Sequence, residues 1–346
     1  MDRLRSSSPG PLQRRAYTHG CVEKTIPGWS LQSMQTSSGT LSGSIRELHV
    51  GGMQVLSERY RGVMTNHCGS AVPGSIGFVL PLRMDGAGMF NAQPWNHNTI
   101  CVWNTNIDFN VITPPSDIVC VTVDRALLVE YIARSDHIDL EPELLRANLV
   151  LGTPQVGVLA RRLKALVDVA FEEGWDIPAA QQVIHQEVLA TLTPVLVEQL
   201  SGAANPNRPC SHLLNVRRAR EVALAHPDTP LRVQDLCREL RIPRRTLQDS
   251  FQIVLGISPL SYVHMLRLDG ARRSLLAGTP VKEVADTWGF WHWSRFSGAY
   301  RRLFGELPSA TLKRTGSSGL RPNANSRPAP HSHESRRAGG DGRRSL

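Results

Sequence analysis

The chain is poor in the residue patterns that announce most kinds of chemistry. Its six cysteines (Cys21, Cys68, Cys101, Cys120, Cys210, Cys237) are scattered over 346 residues. They form no CxxC pair and no His/Cys cluster at zinc spacing, which excludes a disulfide framework and a structural zinc site. They read as buried or incidental thiols of a reducing compartment, and cytoplasm is the expected location. No apolar run approaches the ~20 residues that cross a bilayer, so no membrane partner is expected. The basic, Ser/Pro-rich start lacks the apolar stretch of a secretory signal. There is no Gly-rich phosphate loop, no kinase or receiver pattern and no nucleophile elbow, and the strand-rich region of the front half holds no HxH pair. Three histidines in the front half, His49, His67 and His97, stand isolated with no glutamate in ligand register, each read as a surface or core-edge residue. No cofactor, metal or catalytic residue is expected, and the chain does not read as an enzyme.

What is present is an uneven charge. The formal net charge is +9 with 41% hydrophobic residues. Residues 1–211 carry a net −3, residues 212–310 a net +6 and residues 311–346 a net +6. A folded, basic C-terminal segment implies a polyanionic partner, and the front part is built for another task.

Punctuation along the chain divides it into segments. Residues 1–44 are expected to be disordered or poorly defined, as is the basic tail 314–346. From 45 to about 124 short strands alternate with turn residues, as in SIGFVLPL (75–82), NTICVWN (98–104) and DIVCVTV (117–123). That spacing predicts a β barrel or sandwich. Helical periodicity then predicts helices near 141–150, 154–173 and 179–200, with Gly174 as a C-cap. GAANPNRP (202–209) reads as a linker, placing a boundary near 205 between a front domain (45–204) and a C-terminal domain (205–313).

The C-terminal segment contains an internal duplication. Leu236, Cys237, Leu240 and Ile242 recur 48 residues later as Val284, Ala285, Trp288 and Phe290. Leu247, Phe251, Gly256 and Pro259 recur 49 residues later as Phe296, Tyr300, Gly305 and Pro308. The slip falls in a turn, where insertion costs least. Each copy predicts a short helix, a tight turn and a second helix, over 232–254 and 281–304, with Pro243 opening the second helix of the first copy. PLSYVHMLRLDGARRSLLAG (259–278) predicts a rigid connecting helix. Inward positions leave Arg244, Arg245, Thr246, Gln248 and Asp249 outward in the first copy, and His292, Trp293, Ser294, Arg295, Arg301 and Arg302 in the second. Polar side chains at the start of the second helix are what reading the major groove requires. Asp249 can only accept, so it meets a cytosine amino group or orients a neighbouring arginine.

These residues resemble the DNA-binding domain of AraC/XylS-type regulators. The likeness rests on Arg267, Leu268, Ala271, Leu275 and Leu276, and on WGFWHWSRFSGAYRRLFGELPS (288–309). It implies recognition helices in two adjacent major grooves of double-stranded promoter DNA and contact with RNA polymerase, more often for activation. It also implies base-contacting roles for Arg245, Gln248, Asp249, Trp293, Ser294 and Arg295. Pro243 in place of a serine, the small Gly298, and bulky Trp291 and Trp293 depart from the family pattern.

The front half resembles the family's sensor arrangement, a cupin-like β domain followed by helices that pair two subunits. The expected fold is thus a multidomain α+β chain, with an all-α C-terminal domain of two helix-turn-helix units joined by a linker helix. A homodimer and a small organic effector are the implied partners. Phe78, Trp95, Trp103 and Phe109 are candidates to line an effector pocket, with ordinary core packing as the competing reading. Two other readings of the front domain are a purely dimerising or polymerase-contacting module and, remotely, a cupin-type enzyme.

Overall fold

A computed structural model describes residues 13–19, 26–172, 178–200 and 211–317. Strands dominate up to residue 124: β1 (Gln13–His19), β2 (Ser30–Gln35), β3 (Ser42–Val50), β4 (Met53–Arg61), β5 (Thr65–Ser70) and β6 (Ser75–Met84). The series continues with β7 (Gly88–Phe90), β8 (Gln93–Trp95), β9 (Thr99–Asn104), β10 (Phe109–Thr113) and β11 (Ser116–Asp124), and closes later with β12 (Asn148–Gly152). They form a seven-stranded sheet, β1-β3-β4-β11-β6-β9-β12, and a five-stranded sheet, β2-β5-β10-β7-β8. All the pairings are antiparallel.

Side-chain alternation builds layers from these sheets. On β11, Ile118 and Cys120 face the core shared by the two sheets, while Val119, Val121 and Val123 face the opposite way. That outer face is covered by α1 (Arg125–Ser135), α3 (Val156–Ala170) and α4 (Pro178–Leu200), through Leu128, Leu163, Val167, Val188 and Leu192. Each fully buried aliphatic side chain there contributes roughly 1.5–3 kcal/mol. Helix α1 starts where it does because Asp124 accepts hydrogen bonds from the N–H groups of Ala126 and Leu127. A short α2 (Glu141–Leu145) leads into β12.

The C-terminal part is helical: α5 (Ser211–Ala225), α6 (Val233–Leu240), α7 (Arg244–Leu255), α8 (Pro259–Leu276), α9 (Val281–Thr287), α10 (Trp293–Phe304) and α11 (Pro308–Ser317). It has two cores. The first joins α5, α6, α7 and the front of α8 through Leu213, Leu236, Leu247, Phe251 and Tyr262. The second joins the rear of α8 to α9 and α10 through Leu275, Val284, Phe296 and Tyr300. Met34 of β2 and Ile112 of β10 belong to the first of these, so the five-stranded sheet packs against the first helical unit.

The mixed α+β architecture expected from the sequence is present: a β-rich front and a helical C-terminal region. Three local expectations are corrected. Residues 148–150 extend no helix; Asn148–Gly152 pairs with β9 and edges the large sheet, because sheet hydrogen bonds outweigh a short apolar pattern that fits either period. Residues 1–44 include β1 and β2, tied down by pairing with β3 and β5. Helix α3 ends at Ala170 with Phe171 as its cap. Gly174, the linker 202–209, Cys21, Cys210 and most of the tail lie outside the described residues, although α11 runs to Ser317.

Candidate nucleic-acid interface

The first helix-turn-helix is built by α6 and α7. Helix α6 buries Leu236 and Leu240, and its chain reverses at Arg241, whose backbone is left-handed at φ 55°. Pro243 caps the next helix in extended conformation, one residue before the helical position expected for it. Leu247, Phe251 and Val254 are buried, which turns Arg244, Arg245, Gln248 and Asp249 to solvent and leaves Thr246 half-buried. The Arg245 side chain is 93% exposed, with its Nε 3.7 Å from the Asp249 carboxylate one turn on. A surface pair of this kind is worth about 0.3–0.5 kcal/mol, so it does not hold Arg245 in one place.

The second unit repeats this plan with one residue more in the turn. Gly289 takes the left-handed position at φ 68°, and Phe290, Trp291 and His292 precede α10. Phe296, Tyr300 and Leu303 are buried, while His292, Trp293, Ser294, Arg295, Arg301 and Arg302 are exposed. Trp291 and Trp293 are 70% and 44% exposed, the former unusual for so large an apolar ring. Behind α10, the Tyr300 hydroxyl meets Thr311 Oγ1 at 2.8 Å, and Glu306 accepts from Thr311 and from both arms of Arg314. Burial opposes the charge of Glu306, but Arg314, Thr311 and Arg272 outweigh it and hold its carboxyl below the usual range.

Helix α8 joins the units, so both recognition helices are fixed to one rod. A residue not singled out from the sequence as a DNA contact lies on it. The Nε and Nη2 of Arg267 have no hydrogen-bond partner, and burial holds its guanidinium below the ordinary range. Its signal was its membership of the apolar-flanked RL pattern, which reads as core.

The front domain grips both units. Gln35 Nε2 donates to the Leu303 carbonyl at 2.6 Å, and Gly39 N–H donates to the same oxygen at 3.1 Å. A last-turn carbonyl of α10, otherwise without an intrahelical donor, is thus capped from another domain. Arg217 of α5 pairs with Asp108, and Arg220 donates to Gln32.

Between the two sheets lies a cavity of about 40 Å³, lined by Trp95, Trp103 and Phe109 together with Trp29, Phe90 and His67. Phe78, expected to line it, points to the opposite face against α3; strand alternation puts its neighbour Val79 inside instead. His67 is neither on the surface nor at the core edge. It is buried, between Thr65 Oγ1 at 2.8 Å and Ser33 Oγ at 2.7 Å. Among the described residues no group of three or more His, Cys, Asp or Glu is arranged to hold a metal ion.

Residues 236–314 match the family of helix-turn-helix domains. A probable thc operon regulatory protein of Rhodococcus erythropolis is 30% identical over 211 residues, 58% of this chain and 62% of its own length. The chain thus spans about three-fifths of that relative. A XylDLEGF operon transcriptional activator of Pseudomonas putida is 39% identical over 72 residues, 20% of this chain and 46% of its own. Among solved structures, a probable AraC family transcriptional regulator from Rhodopseudomonas palustris is 32% identical over 30% of this chain and 97% of its own, with a TM-score of 0.28.

Proposed function

The C-terminal segment of this chain is a helix-turn-helix domain of the AraC/XylS type, and from that premise we propose that the protein is a sequence-specific regulator of transcription that reads DNA with α7 and α10. The supporting observation is that each of two matched units buries one face of its second helix and turns a row of arginines and hydrogen-bonding side chains outward at its start. Arg245 and Arg295 have the reach to bond guanine bidentately, and Gln248 suits adenine. Ser294 adds a short donor and acceptor, and Trp293 suits a sugar or thymine methyl. Arg301, Arg302 and Arg244 supply phosphate contacts that fix register. The names of the relatives point to activation.

The front domain is the sensing half of this reading. Its internal cavity, at about 40 Å³, is small beside the ~150 Å³ that admits a benzene ring, so an effector seated there would need the aromatic lining to open.

A gel shift of the full chain on DNA upstream of its own gene tests the proposal. Binding should be tight and weaken steeply with salt. Arg245→Ala and Arg295→Ala should each cost about 1–3 kcal/mol on the specific site and relax base preference there. Parental affinity and preference in both variants would remove α7 and α10 as the reading elements.

A further inference from the structure

Gly298 stands at the centre of the outward face of α10. Phe296, Tyr300, Leu303 and Phe304 are buried on the opposite side. Ser294, Arg295, Arg301 and Arg302, three and four residues away in either direction, are exposed around it. Nothing among the described residues requires a glycine there. Its backbone is not one of the left-handed ones. A Cβ at this position would meet a single atom within 4 Å, Nη1 of Arg302 at 3.6 Å, which is an ordinary contact. Gly270 of α8 differs, since its missing side chain makes room for the Trp288 ring. A glycine inside a helix weakens it, so the bare position costs α10 stability that packing within the chain does not explain.

The gap is flanked by cations. Among the described residues none of Arg295, Arg301 and Arg302 pairs with a carboxylate. Arg302 differs from the other two in where its head lies. It belongs to the last turn of α10, yet its Nη1 reaches the place of the absent side chain four residues earlier. The guanidinium therefore lies back along the helix, about one turn nearer the start than its own Cα. Recognition helices read bases from their N-terminal part, and an arginine in the last turn ordinarily stops at the phosphates. Laid over bare backbone, this one points its donors outward with no side chain at 298 between them and the groove floor.

We propose that Arg302, laid across the gap at Gly298, bonds the major-groove edge of a guanine as well as the phosphate backbone, and that the missing side chain at Gly298 gives it that access. Guanine is the base because its O6 and N7 acceptors match two donors of the guanidinium fork. The inference rests on the regulator reading and adds a specificity-determining pair beyond the start of the helix.

Competition gel shifts with the full chain test it, on DNA upstream of its own gene with each base pair of the bound site changed in turn. Arg302→Ala should lose about tenfold of the parent's preference at one guanine. Gly298→Leu, which fills the gap with a side chain that forms no hydrogen bond, should lose preference at the same guanine with Arg302 still present. Its melting temperature should equal or exceed the parent's, because leucine is the better helix former. A deaza analogue of that guanine, with carbon in place of N7, should weaken binding by the parent and leave Arg302→Ala unaffected. A uniform loss over all sequences in Arg302→Ala, with a salt slope shallower by about 1, would make Arg302 a phosphate contact only and overturn the proposal. Parental preference in either variant, losses at different base pairs, or a lower melting temperature in Gly298→Leu would overturn it too. A parent chain with no preference for any sequence is a separate result, which removes the regulator reading and this inference together.

Discussion

The indole of Trp288 occupies the space that a side chain on Gly270 would need. A Cβ placed there would come within 2.1 Å of the ring, and the ring nitrogen donates to Ser274 Oγ at 3.0 Å. The connecting helix α8 is therefore clamped to the end of α9 across a residue with no side chain. Alanine is the better helix former by up to ~1 kcal/mol, so an exposed Gly→Ala in a helix normally stabilises. Here the overlap dominates: Gly270→Ala is expected to lower stability by about 1–3 kcal/mol in urea denaturation. A gain in stability would show that the indole is free to move.

Arg241 and Gly289 are equivalents in the duplication, and both are left-handed, at φ 55° and 68°. A non-glycine residue held there costs roughly 1–2 kcal/mol. Arg241→Gly should recover part of that and raise the melting temperature, though glycine also gains entropy in the unfolded chain. The converse change is not symmetrical. A Cβ on Gly289 would meet the Asp228 carbonyl oxygen at 2.3 Å, so Gly289→Ala should destabilise by more than Arg241→Gly stabilises. Thermal unfolding of the two variants in parallel reads both signs.

Gln35 is buried and its amide reaches the carbonyls of Ser37, Gly39 and Leu303. Gln35→Leu leaves the loop carbonyls without that donor, at an expected cost of about 1–3 kcal/mol. Because one of the three lies on α10, the loss falls partly on the join between domains. Limited proteolysis of the 36–41 loop should be faster in the variant; an unchanged rate would show that the Gly39 bond alone holds the loop.

Glu306 gives a pH signature. Its carboxyl lies below the ordinary value of 4.5 in the folded chain. Its contribution is therefore fully present above about pH 4.5 and is lost as pH falls through the lower folded value. Denaturation midpoints between neutral and acid pH should show this decline in the parent and a shallower one in Glu306→Gln. Parallel curves would assign the acid sensitivity to other groups, with Asp117 first among them, since Arg61 and Arg59 hold it low against the opposing effect of burial.

The helical half was the more legible in the sequence, because its apolar stripe and its repeat reinforce one another. Leu236, Leu247, Phe296 and Tyr300, inward by periodicity, are buried. The β half was legible in kind but not in detail. Alternation along SIGFVLPL locates a strand, yet both faces of β6 are buried, so nothing local told that Val79 and not Phe78 enters the barrel. Helix α1 was not expected because only Leu128 and Ile132 mark its buried side. Gly270 in LDGARR reads as a weakness in a helix until the indole that arrives from eighteen residues away is seen. The join between the domains could not be read at all, because Arg220 and Gln32 become neighbours only when the domains dock.

The five-stranded sheet is a single layer shared by two tenants. Val111 and Phe90 line the barrel cavity, while their strand neighbours Ile112 and Met89 lie in or against the core of the first helix-turn-helix. Inheritance therefore cannot tune one side alone. A substitution that enlarges the cavity between the sheets also shifts the floor on which the first helix-turn-helix stands, and its effect there depends on which residue sits one step along the strand. If the proposed DNA reading holds, genetic screens for altered site preference should return double changes at such adjacent pairs.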